Sequence, residues 1–212
     1  MNNMENLYIV DNNPLITDSL SHLRDKRTEI QKFRHHSDKI CEQLFISAIQ
    51  NLAMKDVEIE TPLEKMTTKK LVDEVVIIPV LRSGLAMLPG AMKLLPKSTI
   101  GFVGMARDEK TAIASEYYWK LPEIDDHSVV IVTDPMLATG GSILHLLRRL
   151  STENPKEIRV VCVIGAPEGV QAIHSEFPEI KIFLAALDSH LNDKKYIVPG
   201  LGDYGDRYFG TE

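Results

Sequence analysis

Disulfide chemistry has almost nothing to work with in this sequence: of 212 residues only Cys41 and Cys162 are cysteines. They stand far apart, each in an apolar pattern, and read as buried thiols of a reducing compartment. Long apolar runs are missing too. The longest, 75–81, is strand-length and far short of the roughly 18 to 20 residues a membrane-spanning helix needs, so no membrane partner is expected. The first ten residues hold neither a basic stretch nor an apolar one of signal-peptide type. A cytoplasmic location is the expectation. Excess positive charge is also lacking, since 24 Lys and Arg face 30 Asp and Glu for a net charge of −6. Chains that live on nucleic-acid phosphates usually carry a basic face, so no nucleic-acid partner is expected. Repeats, low-complexity tracts and Pro/Gly-rich linkers are absent, which predicts a single domain over 1–212.

What is present is ordinary globular material, 44% hydrophobic and 25% charged. A chain of this length buries roughly 70% of its unfolded surface and needs no covalent or metal staple. Leu15, Ile16, Leu20 and Leu23 fall at near-helical spacing in 14–25. In 28–52, Ile30, Phe33, Ile40, Leu44, Phe45, Ala48, Ile49 and Leu52 form one stripe, so the N-terminal region is expected to be helical. After Pro62 the pattern changes to short continuous apolar runs at 75–81, 99–105, 129–133, 159–164 and 181–187. Such runs are strands buried on both faces. Helical patterns at 85–95, 143–150 and 168–176 separate several of them. Strand–helix–strand repetition predicts an α/β fold, a parallel sheet with helices on both faces and right-handed crossovers. Residues 107–122, with Tyr117, Tyr118 and Trp119, are too polar for a core strand and predict a projecting loop or hairpin. The tail from Tyr196 onward carries four glycines and is expected to end without a helix.

The sharpest feature runs Val129-Val130-Ile131-Val132-Thr133-Asp134-Pro135-Met136-Leu137-Ala138-Thr139-Gly140-Gly141-Ser142. An apolar strand ends in an acid, a short loop follows, and a helix begins. In a parallel sheet that loop lies at the carboxyl edge, where ligands bind. Gly140 and Gly141 let the backbone approach a ligand, and the N–H groups of the loop and first helical turn suit a phosphate. Thr139 and Ser142 add hydroxyls, with Ser142 read as the helix N-cap. A carboxylate beside a phosphate cradle makes sense if Asp134 holds ribose hydroxyls or faces a developing positive charge. No Walker loop occurs. Gly200-Leu201-Gly202-Asp203-Tyr204-Gly205 matches a dinucleotide pattern, but only seven residues follow it, too few for the helix and strand that fold requires. The seven histidines are scattered and read as structural or solvated.

This segment resembles the phosphoribosyl-pyrophosphate (PRPP) motif of type I phosphoribosyltransferases, and its Asp-Pro-Met-Leu-Ala-Thr-Gly-Gly form is similar to that of the uracil phosphoribosyltransferase family. Pro79-Val80-Leu81-Arg82-Ser83-Gly84-Leu85 resembles that family's pyrophosphate loop, Arg107-Asp108-Glu109-Lys110-Thr111 its second arginine segment, and 196–211 its uracil-binding tail. The similarity runs in order from about Leu7 to the C-terminus.

The resemblance implies transfer of the 5-phosphoribosyl group of PRPP to uracil, giving UMP and pyrophosphate. It implies Asp134 and Arg107 as catalytic residues. It places Arg82, Arg107, Asp134, Pro135, Met136, Leu137, Ala138, Thr139, Gly140, Gly141, Ser142 and Asp203 at PRPP, and the backbones of Ile197, Gly202, Asp203 and Tyr204 at uracil. Mg²⁺ is the implied cofactor, held mainly by PRPP with no direct protein ligand. A homo-oligomer, dimer or higher, is the implied assembly, and activation by GTP is left open. Residues 107–122 would act as a flap. Two positions depart from the family: Ser83, where Ala is common, and Tyr204, where bacterial members usually carry Ala. With uracil read by backbone groups, the Tyr204 ring is expected to turn away from the base, beside Tyr208 or against the outside of the loop. The alternatives are a phosphoribosyltransferase for another base and a non-catalytic regulator that binds a nucleotide or RNA.

Overall fold

The computed structural model describes residues 5–107 and 114–211, with Arg107 and Ala114 described in backbone only. The chain begins with a short strand β1 (Leu7–Ile9) and two helices, α1 (Pro14–Arg24) and α2 (Ile30–Ile49). Asn13 caps α1, its Oδ1 accepting from Leu15 N–H at 3.0 Å, with Pro14 opening the first turn. On α2 the buried residues Phe33, Ser37, Ile40, Cys41, Leu44, Phe45 and Ala48 fall three or four apart, the single apolar face the sequence predicts.

A hairpin follows, β2 (Met54–Glu60) with β3 (Lys65–Leu71). The sequence reading does not anticipate it, and its composition shows why. Both strands are exposed or half-buried along their whole length, so no apolar face marks them. The sheet then proceeds through β4 (Glu74–Leu81), a 3-10 turn Ser83–Met87, α3 (Leu88–Leu94), β5 (Thr99–Ile100) and β6 (Phe102–Arg107). The strand β7 (Ala114–Lys120) turns back antiparallel on β6. Residues 107–122, expected as a projecting loop or hairpin, instead supply an edge strand of the main sheet over 114–120, while 108–113 lie outside the described residues. The polar face of β7 is tied down by α4 (Gly141–Leu150), which follows β8 (Ser128–Thr133) and β9 (Met136–Leu137). Arg149 of α4 lies 3.7 Å over the Trp119 ring and pairs with Glu116 at 2.6 Å.

The remaining elements are β10 (Glu157–Gly165), α5 (Pro167–Glu176), β11 (Lys181–Leu187), the small pair β12 (His190–Leu191) and β13 (Ile197–Val198), and α6 (Tyr204–Phe209). The tail therefore does end in a helix, contrary to expectation. Asp203 supplies the cap, its Oδ1 accepting from Asp206 N–H at 2.9 Å, and Gly210 closes the helix in the left-handed region at φ 74°. Four glycines hide a helix that is only six residues long.

The strand order is β1-β11-β10-β8-β4-β6-β7, parallel except for the β6–β7 edge. Strand alternation divides the core in two. Val75 and Ile77 of β4, Ile131 of β8 and Val161 of β10 face α2 and α3. Val76, Ile78, Val130, Val132 and Val160 face Ile143, Leu146, Leu147 and Leu150 of α4 and Ile173 of α5. Among the described residues Arg159 is one of the largest buried side chains, 2% exposed. It pairs with Glu157 and donates to Ala48 O at the C-terminal end of α2, so a cation meets the negative end of the helix. No described helix is long and apolar enough to cross a membrane.

Candidate active site

β4 and β8 are neighbours, so the loops that leave their carboxyl ends meet. They are packed backbone to backbone: a Cβ on Gly84 would stand 2.4 Å from Thr133 O, and Thr133 Oγ1 donates to Gly84 O at 3.4 Å. Only glycine permits that approach.

From β8 the chain reaches Asp134, which is half-buried. Its Oδ1 accepts from Ser83 Oγ at 3.2 Å and from Met136 N–H at 3.3 Å. Burial pushes the carboxyl up to about 6, and the charge of Asp203 adds to the rise; the hydrogen bonds from Met136 and Ser83 oppose it. Pro135 and Leu137 are buried, while Met136, Ala138 and Thr139 are partly open. Pro135 O accepts from Val163 N–H at 3.0 Å and Ile164 N–H at 3.1 Å, which pins the loop to β10. Gly140, at φ 77°, turns the chain into α4 as its N-cap. Ser142 is therefore not the cap that the sequence suggests but lies inside the first turn, where its hydroxyl is half-exposed. The positive end of a ten-residue helix thus points to the sheet edge beside Asp134.

Arg82 leaves the end of β4 exposed to solvent, and its guanidinium meets Asp206 of α6 at 3.3 Å. Arg107 ends β6, the next strand, so both arginines sit at one edge of the sheet. The Arg107 side chain, and Asp108, Glu109, Lys110 and Thr111, lie outside the described residues.

The third wall is the tail. Ser83 bonds Asp134 on one side and lies 3.6 Å from the Cβ position of Gly205 on the other, so the 82–84 loop, the 134–142 loop and α6 converge. Ile197 is buried in β13; Gly202 and Asp203 are exposed. The Tyr204 ring does turn away from the exposed edge of the loop, but not onto its outer surface. It is 1% exposed, packs edge-on to Phe33 at 5.1 Å and stacks near Tyr208 at 6.4 Å. Its hydroxyl meets Ser37 Oγ at 2.5 Å.

Sequence reasoning missed the groups that hold this tail. Arg24, in the last turn of α1, donates to both oxygens of Asp188 (2.9 and 2.5 Å) and to Gly200 O (2.8 Å). Asp188 in turn accepts from Gly200 N–H at 2.9 Å. Arg207 donates to Leu23 O, Leu201 O and Asp25 O. These partners lie up to 184 residues apart in the chain, and no local pattern announces them.

Comparison with known proteins agrees with this arrangement. A family model described as uracil phosphoribosyltransferase matches residues 10–211. Uracil phosphoribosyltransferases of Bacillus cereus and Bacillus anthracis are each 44% identical to the chain over 210 residues, covering 99% of it and 100% of theirs. A solved structure of a protein from Aquifex aeolicus superposes with a TM-score of 0.91 at 35% identity, over 97% of this chain and 99% of that one. An adenine phosphoribosyltransferase from Trypanosoma brucei, 13% identical over 93% of this chain and 88% of its own, shares the fold at a TM-score of 0.58. The chain belongs to the uracil phosphoribosyltransferase family.

Proposed function

We propose that this chain, as one domain over 1–212, transfers the 5-phosphoribosyl group of PRPP to uracil, releasing pyrophosphate and forming UMP. The observation that carries the residue assignment is the convergence of three loops: the 134–142 loop with its helix N-terminus, the arginine-bearing end of β4, and the capped tail. In this reading the 5-phosphate sits on the N–H groups of 138–142 with the hydroxyls of Thr139 and Ser142. Asp134 faces the ribose hydroxyls, and its negative charge favours the sugar as C1 becomes cationic. Its raised carboxyl is a cost the free protein carries so that a partly desolvated charge stands where the cation develops.

Arg82 and Arg107 take the pyrophosphate end, where a guanidinium donates two parallel hydrogen bonds to phosphate. The exposed pair with Asp206 holds Arg82 only weakly, so exchange of that carboxylate for pyrophosphate is cheap. Uracil lies against the backbone of Ile197 and of 202–204. Cytosine reverses the donor–acceptor pattern at two positions and leaves groups unpaired at about 1–3 kcal/mol each. In this reading 107–122, of which 108–113 lie outside the described residues, keeps the role expected from the sequence, a flap that excludes water. Mg²⁺ would be held mainly by the substrate's own phosphates and hydroxyls, and the carboxylates of Asp134 and Asp203 at this edge suit its preference for an oxygen-rich surrounding without direct ligation. When bound it neutralises charge on the departing pyrophosphate.

The same reading includes a cytoplasmic location, in keeping with the two free, buried thiols. It also includes a homo-oligomer, supported by the β2–β3 ribbon, which carries exposed Met54, Leu63, Met66 and Leu71 and as a two-stranded unit is marginal on its own. Sedimentation tests the assembly, and initial rates with and without GTP test activation. The central test is pyrophosphate release on mixing the protein with Mg²⁺, PRPP and a panel of free bases. Release with uracil and not with cytosine or hypoxanthine is expected. Release with another base, or none with any, overturns the assignment.

A further inference from the structure

Three of the seven histidines, His22, His35 and His36, meet in space. Asp18 and His22 stand four residues apart on the exposed face of α1, one turn from each other. The packing of α2 against α1 brings His36 to the same spot. A carboxylate oxygen and one ring nitrogen from each histidine all lie within 4.8 Å of one another. The two imidazoles stack at 4.0 Å with 19° between their planes. We propose that Asp18, His22 and His36 form a surface site for a borderline divalent cation of the Zn²⁺ class, bridging α1 and α2 and distinct from the substrate cleft.

Two observations carry this. First, the donor set is two imidazoles and one carboxylate, which suits Zn²⁺ and its neighbours and leaves a position for water. In a tetrahedral zinc site adjacent ligand atoms stand about 3.3 Å apart and each imidazole lone pair lies in its ring plane, so His22 has to rotate out of its stack on His36; Asp18 and His22 are exposed and free to do so. Second, His36 has an outer partner of the kind metal-binding histidines keep. Its Nδ1 lies 3.1 Å from Oγ of the buried Ser19; with Nδ1–H donating there, the Nε2 lone pair is available.

The site predicts that calorimetric titration of Zn²⁺ into the chelator-treated full chain near pH 7.5 gives one ion per chain. Co²⁺ in its place should give a visible absorption band, while Mg²⁺ gives no heat, since it prefers an all-oxygen shell. His22→Ala and His36→Gln should each weaken Zn²⁺ binding by more than about tenfold, and Ser19→Ala by about tenfold through the lost outer partner. His35→Ala, which changes a ring beside His36 outside the proposed set, should leave binding unchanged. His22 is exposed, so unaltered PRPP and uracil kinetics of His22→Ala without Zn²⁺ certify its fold. Absence of stoichiometric Zn²⁺ binding overturns the proposal, as does equal binding by wild type and His22→Ala.

Discussion

Tyr204 offers a test in which stability and base recognition come apart. Its ring is fully buried against Phe33 and its hydroxyl is bonded to Ser37, while its backbone opens α6 beside the exposed Gly202 and Asp203. Tyr204→Ala empties a buried aromatic site, at about 3–5 kcal/mol. For a chain of this length that is about 6–20 °C in Tm, at about 2–4 °C per kcal/mol. Tyr204→Phe keeps the ring and leaves the Ser37 hydroxyl without this partner, costing about 1–2 kcal/mol. Because the hydroxyl points to α2 and not to the cleft, uracil kinetics of Tyr204→Phe should stay within about twofold of wild type. Tyr204→Pro separates the remaining variable. Tyr204 is the first residue of α6, where proline is compatible with a helix. Asp203 already has the extended backbone, φ −81° and ψ 115°, that a residue before proline needs. Proline therefore removes one N–H and little else that alanine has not removed. The alanine and proline variants should melt within about 3 °C of each other, while kcat/KM for uracil falls about tenfold further in proline, the worth of one hydrogen bond to the base. Thermal melts and steady-state kinetics below both melting points decide it. Equal kinetics in the two variants remove the Tyr204 N–H from base recognition. A tenfold loss in Tyr204→Phe with an unchanged Tm puts the hydroxyl at the base and refutes the backbone account.

Three further predictions concern charge. The Asp134 carboxyl stands at about 6 when folded against 3.8 unfolded, so the folded protein binds the extra proton and stability falls as pH rises from about 4 to 6. That difference caps the effect at about 3 kcal/mol, and partial exposure trims it to about 1–2 kcal/mol. Asp134→Asn should accordingly be more stable than wild type by about that amount at pH 7.5, with the gap closing near pH 4, yet lose kcat far more than PRPP affinity; a raised KM with unchanged kcat contradicts the assigned role. Arg82→Ala and Arg107→Ala should raise KM for PRPP about tenfold or more with Tm nearly unchanged; wild-type kinetics in both would clear them from the pyrophosphate end. Arg24→Ala leaves the nearly buried Asp188 without its guanidinium and frees Gly200 O, which should lower Tm by about 6–12 °C for a loss of about 3 kcal/mol and raise KM for uracil more than KM for PRPP, and equal effects on both substrates would make Arg24 a merely structural residue.

Those predictions draw on two kinds of residue, and the sequence exposes only one of them. The strands at 75–81, 129–133, 159–164 and 181–187 are legible because a parallel sheet covered on both faces demands continuous apolar runs, which few other structures need. The loop at 134–142 is legible for a related reason. Strand, acid, glycine pair and helix occur together only where a backbone must come close to something. The β2–β3 hairpin escapes because it is wetted on both faces and so leaves no periodic trace. The helix α6 escapes because its cap, Asp203, sits in a glycine-rich run that reads as loop, and its stability comes from Tyr204 reaching α2, a contact across 167 residues.

That asymmetry has a physical origin which bears on where chemistry hides in the chain. The proposed PRPP side of the cleft would use backbone N–H groups at a helix terminus, and such a site must be written locally, in glycines and small residues at fixed spacing. The proposed base side is a short tail with no rigidity of its own. It is held by Arg24 and Asp188 on Gly200, by Arg207 on Leu201 and α1, and by Tyr204 on α2. A support built of long-range partners has no spacing rule, so only the folded chain reveals it. The same holds for Asp18, His22 and His36, where two residues obey a helical spacing and the third arrives by packing. Departures such as Tyr204 are then best judged by their distant partner. Here the ring belongs to the core of the α1–α2 layer, and the base-reading group in the proposed assignment is the peptide that the ring anchors.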